Sequence, residues 1–232
     1  MLTRLAWLGL EVKYLERARQ FYAETLELSE CASVDGPTDA PAVAFQTGDA
    51  ALLLRRPESR PRGGVHTHFA CSIPHAEYDE WWGSLSIDYD LQEHRFGESR
   101  SLYLYDPDGN CVELGQQDVT GPGIDGIFEI VLEVADLEAA EDRYATLGFE
   151  TIDRGSSRRR VRMAGPVALE LWEPQLGIAD ARGGLHVDLG FETADLEATA
   201  AALEPWVCSL ERDGDRLVAI DPDGHHLTVL ES

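Results

Sequence analysis

Apolar residues recur with two periods along this chain, and the alternation between the periods organises it. Leu5 to Val12 alternates as a strand does: Leu10 and Val12 fall on one face, Trp7, Gly9 and Glu11 on the other. Tyr14 to Leu28 then shows helical spacing, and strand patterns follow at Pro41–Gln46 and Ala50–Arg55. A second unit opens with His66–Ile73 and a helix around His75–Ser86. Strands follow near Leu91–Phe96 and Ser101–Tyr105, and Asn110–Gly115 closes the unit. The order repeats with Ile127–Val134, Leu137–Leu147, Arg159–Met163 and Val167–Trp172. It repeats again with Leu185–Glu192, Leu196–Trp206, Arg216–Ile220 and His226–Leu230. The pattern predicts an α+β fold of four tandem βαβββ units.

Turn formers divide the chain. Asp118-Val-Thr-Gly-Pro-Gly-Ile-Asp125 is the strongest boundary and predicts a linker at 118–125 between a first domain, 1–117, and a second, 126–232. Each domain splits again, into units 1–60 and 61–117 and units 126–180 and 181–232. The two halves close on the same phrase, Asp106-Pro-Asp-Gly109 and Asp221-Pro-Asp-Gly224. Proline presets φ, Asp bonds nearby backbone and glycine takes positive φ, so the phrase by itself predicts a turn and no chemistry.

Composition narrows the partners. Forty-three acidic residues against 19 basic ones give a formal charge of −24, and Lys13 is the only lysine. Such a surface repels nucleic acid and anionic membrane, so neither is expected as a partner, and the chain is expected to be a monomer or homodimer. Few lysines among many carboxylates resemble a halophile's cytosolic protein. No N-terminal signal peptide and no apolar run of membrane-spanning length is visible, so a cytoplasmic location is expected. Cys31, Cys71, Cys111 and Cys208 form no CxxC pair, and Cys71 and Cys111 lie in apolar runs where a buried thiol is the default.

Several short segments, in this order and spacing, resemble one family. Trp7-Leu-Gly-Leu-Glu-Val12 and Glu129-Ile-Val-Leu-Glu-Val134 open units, Ala18-Arg-Gln-Phe-Tyr22 lies in the first helix and Leu147-Gly-Phe149 follows the third. His68-Phe-Ala-Cys-Ser-Ile73 and Asp188-Leu-Gly-Phe-Glu-Thr-Ala-Asp195 open the other two units, and both Asp-Pro-Asp-Gly turns complete the set. Together they resemble the vicinal oxygen chelate superfamily, which includes glyoxalase I, extradiol dioxygenases and the fosfomycin- and bleomycin-resistance proteins. The resemblance spans nearly the whole chain as two family domains.

The resemblance implies that paired units curl into a concave sheet holding one divalent ion, with ligands from the first and fourth strand of each unit. Carried over by position, the candidate ligands are Trp7 and Leu53, His68 and Glu113, Glu129 and Glu170, and Asp188 and Thr228. Strand alternation sets each candidate opposite the apolar face of its strand. If units 2 and 3 pair, one cup holds His68, Glu113, Glu129 and Glu170, and the other, from units 1 and 4, cannot chelate. If neighbouring units pair, both sets are incomplete. The crossed pairing is favoured.

One imidazole with three carboxylates suits a six-coordinate ion (Mn, Fe, Co, Ni or Zn). The resemblance then implies a metal-dependent lyase or isomerase of glyoxalase type, with Glu113 as the base and Glu170 its counterpart across the site. An extradiol dioxygenase needs a second histidine, His66 or His226, and a metal-free binding protein of bleomycin-resistance type needs no ligands. His66 and His186 are expected in structural or second-shell roles, His225 is expected at the surface, His226 could face the second cup, and Trp7 is expected to fill it.

Overall fold

The computed structural model describes residues 1–32, 42–56, 64–157, 159–174 and 187–232. Among them, sixteen strands form two eight-stranded sheets with four α-helices. Sheet A has the order β14 (Ser209–Asp213), β15 (Arg216–Ile220), β16 (His226–Glu231), β13 (Val187–Thr193), β1 (Leu2–Glu11), β4 (Ala50–Arg55), β3 (Ala42–Thr47), β2 (Glu30–Cys31). Sheet B has the order β10 (Glu150–Arg154), β11 (Arg160–Ala164), β12 (Ala168–Trp172), β9 (Gly126–Glu133), β5 (His66–Pro74), β8 (Cys111–Gln117), β7 (Ser99–Tyr105), β6 (Gln92–Phe96).

Sheet A therefore joins the first and fourth units, and sheet B the second and third. Within each unit the first strand pairs parallel with the last: β1 with β4, β5 with β8, β9 with β12 and β13 with β16. The units meet antiparallel, β1 on β13 and β5 on β9. The pairing is crossed, as the unequal ligand sets favour.

The helices are shorter than their periodic stretches. The run predicted over Tyr14–Leu28 is α1 (Leu15–Gln20) followed by a π-helical turn at Phe21–Thr25, and His75–Glu77 is a 3₁₀ turn leading into α2 (Tyr78–Leu85). In the second half, α3 (Leu137–Thr146) and α4 (Leu196–Leu203) are capped by Asp136 and Asp195, whose side chains accept from the Ala139 and Ala198 amides. No helix among the described residues is long and apolar enough to cross a membrane. Cys71 and Cys111 are buried as free thiols.

One apolar core runs through all four units, including Leu8, Phe45, Phe69, Ile130, Leu132, Leu169 and Phe191. The two Asp-Pro-Asp-Gly turns pin the sheets together across it. Tyr22 of the first unit donates to Asp106 Oδ2 of the second at 3.0 Å, and Tyr144 of the third to Asp221 Oδ2 of the fourth at 3.0 Å. The other oxygen of each aspartate caps its own turn. Oδ1 of Asp106 accepts from the Asp108 and Asn110 amides, and Oδ1 of Asp221 from those of Asp223 and His225. Gly109 and Gly224 sit at φ 90° and 89°, which a side chain would strain. The turn's second aspartate reaches across as well: Asp108 accepts from the Lys13 amide and Asp223 from the Ala135 amide.

Candidate functional site

The strand register of sheet B aligns the site. Tyr103 pairs with Glu113, Glu113 with Ala70, and Ala70 with Glu129, one row across β7, β8, β5 and β9. Residues in such a row share a face. Two carboxylates thus flank one alanine, whose small side chain leaves open space between them. His68, two residues before Ala70, lies on the same face in the next row, which continues through Val131, Glu170 and Arg162.

His68, Glu113 and Glu129 are all buried, and each offers a ligand atom within 4.8 Å of the others. His68 Nε2 lies 3.2 Å from Glu113 Oε2. Its Nδ1 lies 3.1 Å from Thr67 Oγ1, a partner able to keep a proton on Nδ1 when an ion replaces the proton that Nε2 shares with Glu113. Edge-on rings of Tyr103 and Trp172, centred 5.5 and 6.4 Å away, hold the imidazole plane.

The two carboxyls of the central row are held in opposite states. Burial pushes Glu113 up, but the His68 hydrogen bond and charge, with the Ser101 and Tyr103 hydroxyls, outweigh it and hold the group below its ordinary value. Burial, and then the charge of Glu170, push Glu129 well up; Arg162 offsets this only in part. Arg162 Nη1 stands 2.7 Å from Glu129 Oε2, yet that oxygen has no partner in hydrogen-bond geometry. The contact is one of charge.

Glu170 lines the same cavity but stands outside the three-residue group. Val131 separates it from His68 in the row. Both of its oxygens are also taken, Oε1 by Arg160 at 2.8 Å and Oε2 by the Trp172 indole at 2.7 Å.

A divalent ion fits this arrangement. Donors about 2.1 Å from a common ion stand at most about 4.2 Å apart; here all three lie within 4.8 Å of one another, and His68 Nε2 and Glu113 Oε2 are 3.2 Å apart. Glu129 Oε2, buried and without a hydrogen bond, is the oxygen an ion would satisfy. The charges agree as well. Four carboxyl groups, Glu113, Glu129, Asp153 and Glu170, line the cavity against two arginines, Arg160 and Arg162, an acidic surplus that a divalent ion offsets once it displaces the Glu129 proton.

The cavity holds about 240 Å³ and is walled by Phe96, Phe128, Ser99, Ser101, Tyr103, Gln116 and Gln117 besides the charged residues. Gly115 makes room for one wall, since a Cβ there would lie 2.9 Å from the Phe128 ring. The sequence reading missed Arg160, Arg162, Tyr103 and Phe128. The signal available for the arginines was alternation, because they stand two apart on a strand that runs beside Glu170.

Sheet A carries the equivalent rows with other chemistry. Thr228, Gly190 and Trp7 replace Glu113, Ala70 and Glu129. The Trp7 ring lies over Gly190 so closely that a Cβ there would meet ring carbons at 2.1–2.5 Å. Trp7, Ala6, Ala44, Ala51 and Leu53 form an apolar cluster apart from the main core. Asp188 accepts from Thr228 at 3.1 Å and meets Arg55 at 3.3 Å, a buried pair with no charge left over.

The remaining histidines separate. His66 is fully buried, outside the lining of the cavity, and His226 is buried in sheet A. His225 corrects an expectation: it is fully buried rather than at the surface, its Nε2 bonded to the Glu133 carbonyl at 3.0 Å, with Gly64 against its Nδ1. Gly64 leaves room for the imidazole only because it has no side chain. His186 lies outside the described residues.

No family model matches the chain, and no curated protein sequence matches it. Solved structures do. A dioxygenase candidate from Bacillus subtilis subsp. subtilis str. 168 is 14% identical with a TM-score of 0.72, over 99% of this chain and 85% of that one. Glyoxalase I from Zea mays is 19% identical with a TM-score of 0.71, over 98% and 92%. The cppA protein of Streptococcus pneumoniae TIGR4 is 13% identical with a TM-score of 0.61, over 100% and 98%. At these identities the likeness establishes the fold: two concave sheets of the vicinal oxygen chelate type.

Proposed function

We propose that the protein is a divalent-metal-dependent lyase or isomerase acting on a small substrate with oxygens on adjacent carbons. The observation that carries this reading is the buried group of His68, Glu113 and Glu129, its ligand atoms within 4.8 Å of one another. These three residues hold the ion. Bound there, it supplies Lewis acidity to neighbouring substrate oxygens and so acidifies the C–H between them.

The chain's own residues then manage the proton. Glu113 and Glu129 flank Ala70 from opposite sides, an arrangement that suits proton transfer between two adjacent substrate carbons held between them. With Oε2 of Glu129 on the ion, its other carboxylate oxygen is left to take the proton, and Glu113 stands opposite to return it. Glu170 acts through its neighbours instead, because Arg160 and Trp172 occupy both of its oxygens. Phe96 and Phe128 keep water from the reacting carbons.

A second reading is favoured by one observation. Arg162 beside Glu129 and Arg160 on Glu170 offset two carboxylates without an ion, as suits a metal-free small-molecule binding protein. An extradiol dioxygenase has less support: His68 is the one histidine among the described residues lining the cavity, where two are needed.

Metal analysis separates the readings. About one divalent ion per chain, lost in His68→Ala and Glu113→Ala, supports the metal enzyme, and absence of metal at every loading supports the binding protein. Turnover of methylglyoxal with a thiol then tests the lyase, and oxygen uptake with catechols the dioxygenase.

A further inference from the structure

The two guanidiniums in the cavity are used unequally. Arg160 is closed off, with Nη1 on Glu170 Oε1 and Nη2 on Asp153 Oδ2, both at 2.8 Å. Arg162, two residues on along β11 and therefore on the same face, is not. Among the described residues its carboxylate contact is the single off-axis approach to Glu129, and a third of its side chain is exposed. A guanidinium carries five N–H donors in a planar fork that matches a carboxylate. Arg162 brings that fork to the cavity of a chain whose net charge is −24 and leaves it without a bidentate partner.

Charge decides when the fork becomes available. In the metal-free cavity four carboxyl groups face two arginines, Arg162 rests against Glu129, and an anion is disfavoured. An ion that takes Glu129 adds positive charge to the lining and frees Arg162 from that contact. Phe128, for which Gly115 clears space, and the half-exposed Phe96 line the same cavity and give it apolar surface.

We infer that the site takes a small organic carboxylate with an oxygen on the neighbouring carbon. Arg162 reads the carboxylate, and the Phe96–Phe128 wall takes an apolar substituent. This rests on the metal-dependent reading above. It assigns Arg162 to the substrate rather than to the ion, and it makes anion binding conditional on metal.

The test is calorimetric and uses matched pairs, lactate against lactamide and mandelate against mandelamide, on protein loaded with Mn²⁺. Each pair keeps the vicinal oxygens and the substituent and changes only the charge. The acid of at least one pair is expected to bind tenfold or more tightly than its amide, and not to bind metal-free protein. Arg162→Gln is expected to bring that ratio close to one while still taking up one Mn²⁺, and Arg162→Lys to fall between, since it keeps the charge without the fork. If wild-type protein binds Mn²⁺ yet neither acid is preferred or bound, or if Arg162→Gln keeps the full preference, the inference is overturned and the metal reading stands. If no Mn²⁺ binds, both fall.

Discussion

Trp7 lies across the face of Gly190 at the position where the equivalent row of the other sheet sets Glu129 beside Ala70. One duplication thus produced two cups with opposite fates. In sheet A an indole fills the space above a glycine; in sheet B an alanine leaves space between two carboxylates. The contact is tight enough that Gly190→Ala has no room. The expected cost is about 1–3 kcal/mol, read as a Tm lowered by about 2–4 °C per kcal/mol. Metal binding in sheet B is expected to persist. Unchanged stability would show that Trp7 is free to move.

The turns that end each half act as clamps between the sheets. Tyr22→Phe leaves the buried Asp106 Oδ2 with only the Asn110 amide nitrogen, and Tyr144→Phe removes the corresponding bond to Asp221. Each is expected to cost about 1–3 kcal/mol in a denaturant titration. Neither should alter metal stoichiometry, since neither residue touches the cavity.

Protonation of Glu129 gives the metal-free protein a pH signature. Below the ordinary carboxylate pKa of about 4.3 the group is protonated both folded and unfolded. Above it the unfolded chain releases the proton, while the folded chain, where burial and Glu170 push the group up to about 8, retains it. Stability from this group is therefore fully present at low pH and lost as pH rises through that window. Glu129→Gln is expected to remove this fall from the pH profile of Tm. By the same linkage, metal must displace that proton, so affinity should rise with pH up to the same limit and binding should release a proton to the buffer.

The excess of acidic residues predicts a response to salt. With 43 carboxylates against 19 cations, self-repulsion opposes the folded state, and screening relieves it. Raising KCl from about 0.01 M to about 1 M shortens the screening length from roughly 30 to 3 Å and is expected to raise the Tm. A Tm independent of salt would mean that the charges are already locally paired.

Much of this molecule was legible before its structure, and the limits have physical reasons. The unit order could be read because each strand–helix alternation changes the apolar period, and His68, Glu113 and Glu129 came as candidates from the family resemblance, with strand alternation agreeing that each opposes the apolar face of its strand. The sequence favours the crossed pairing because it gathers one imidazole and three carboxylates in one cup, and the strand order agrees. What escaped was set by side-chain contacts. Glu170 has the right face and sheet, yet Arg160 from the neighbouring strand and Trp172 two residues along its own take its oxygens, and Val131 intervenes between it and His68. The surface placement of His225 failed because the turn packs against Gly64 and the Glu133 carbonyl, from two other units.

The central claim is that His68, Glu113 and Glu129 hold one divalent ion while Glu170 does not. Metal content after equilibrium dialysis, measured by mass spectrometry on wild-type protein, His68→Ala, Glu113→Gln, Glu129→Gln and Glu170→Gln, tests it most directly. The expected result is about one ion per chain for wild type and Glu170→Gln and a large loss for the other three. Equal metal content in all five, or none in wild type, would contradict it.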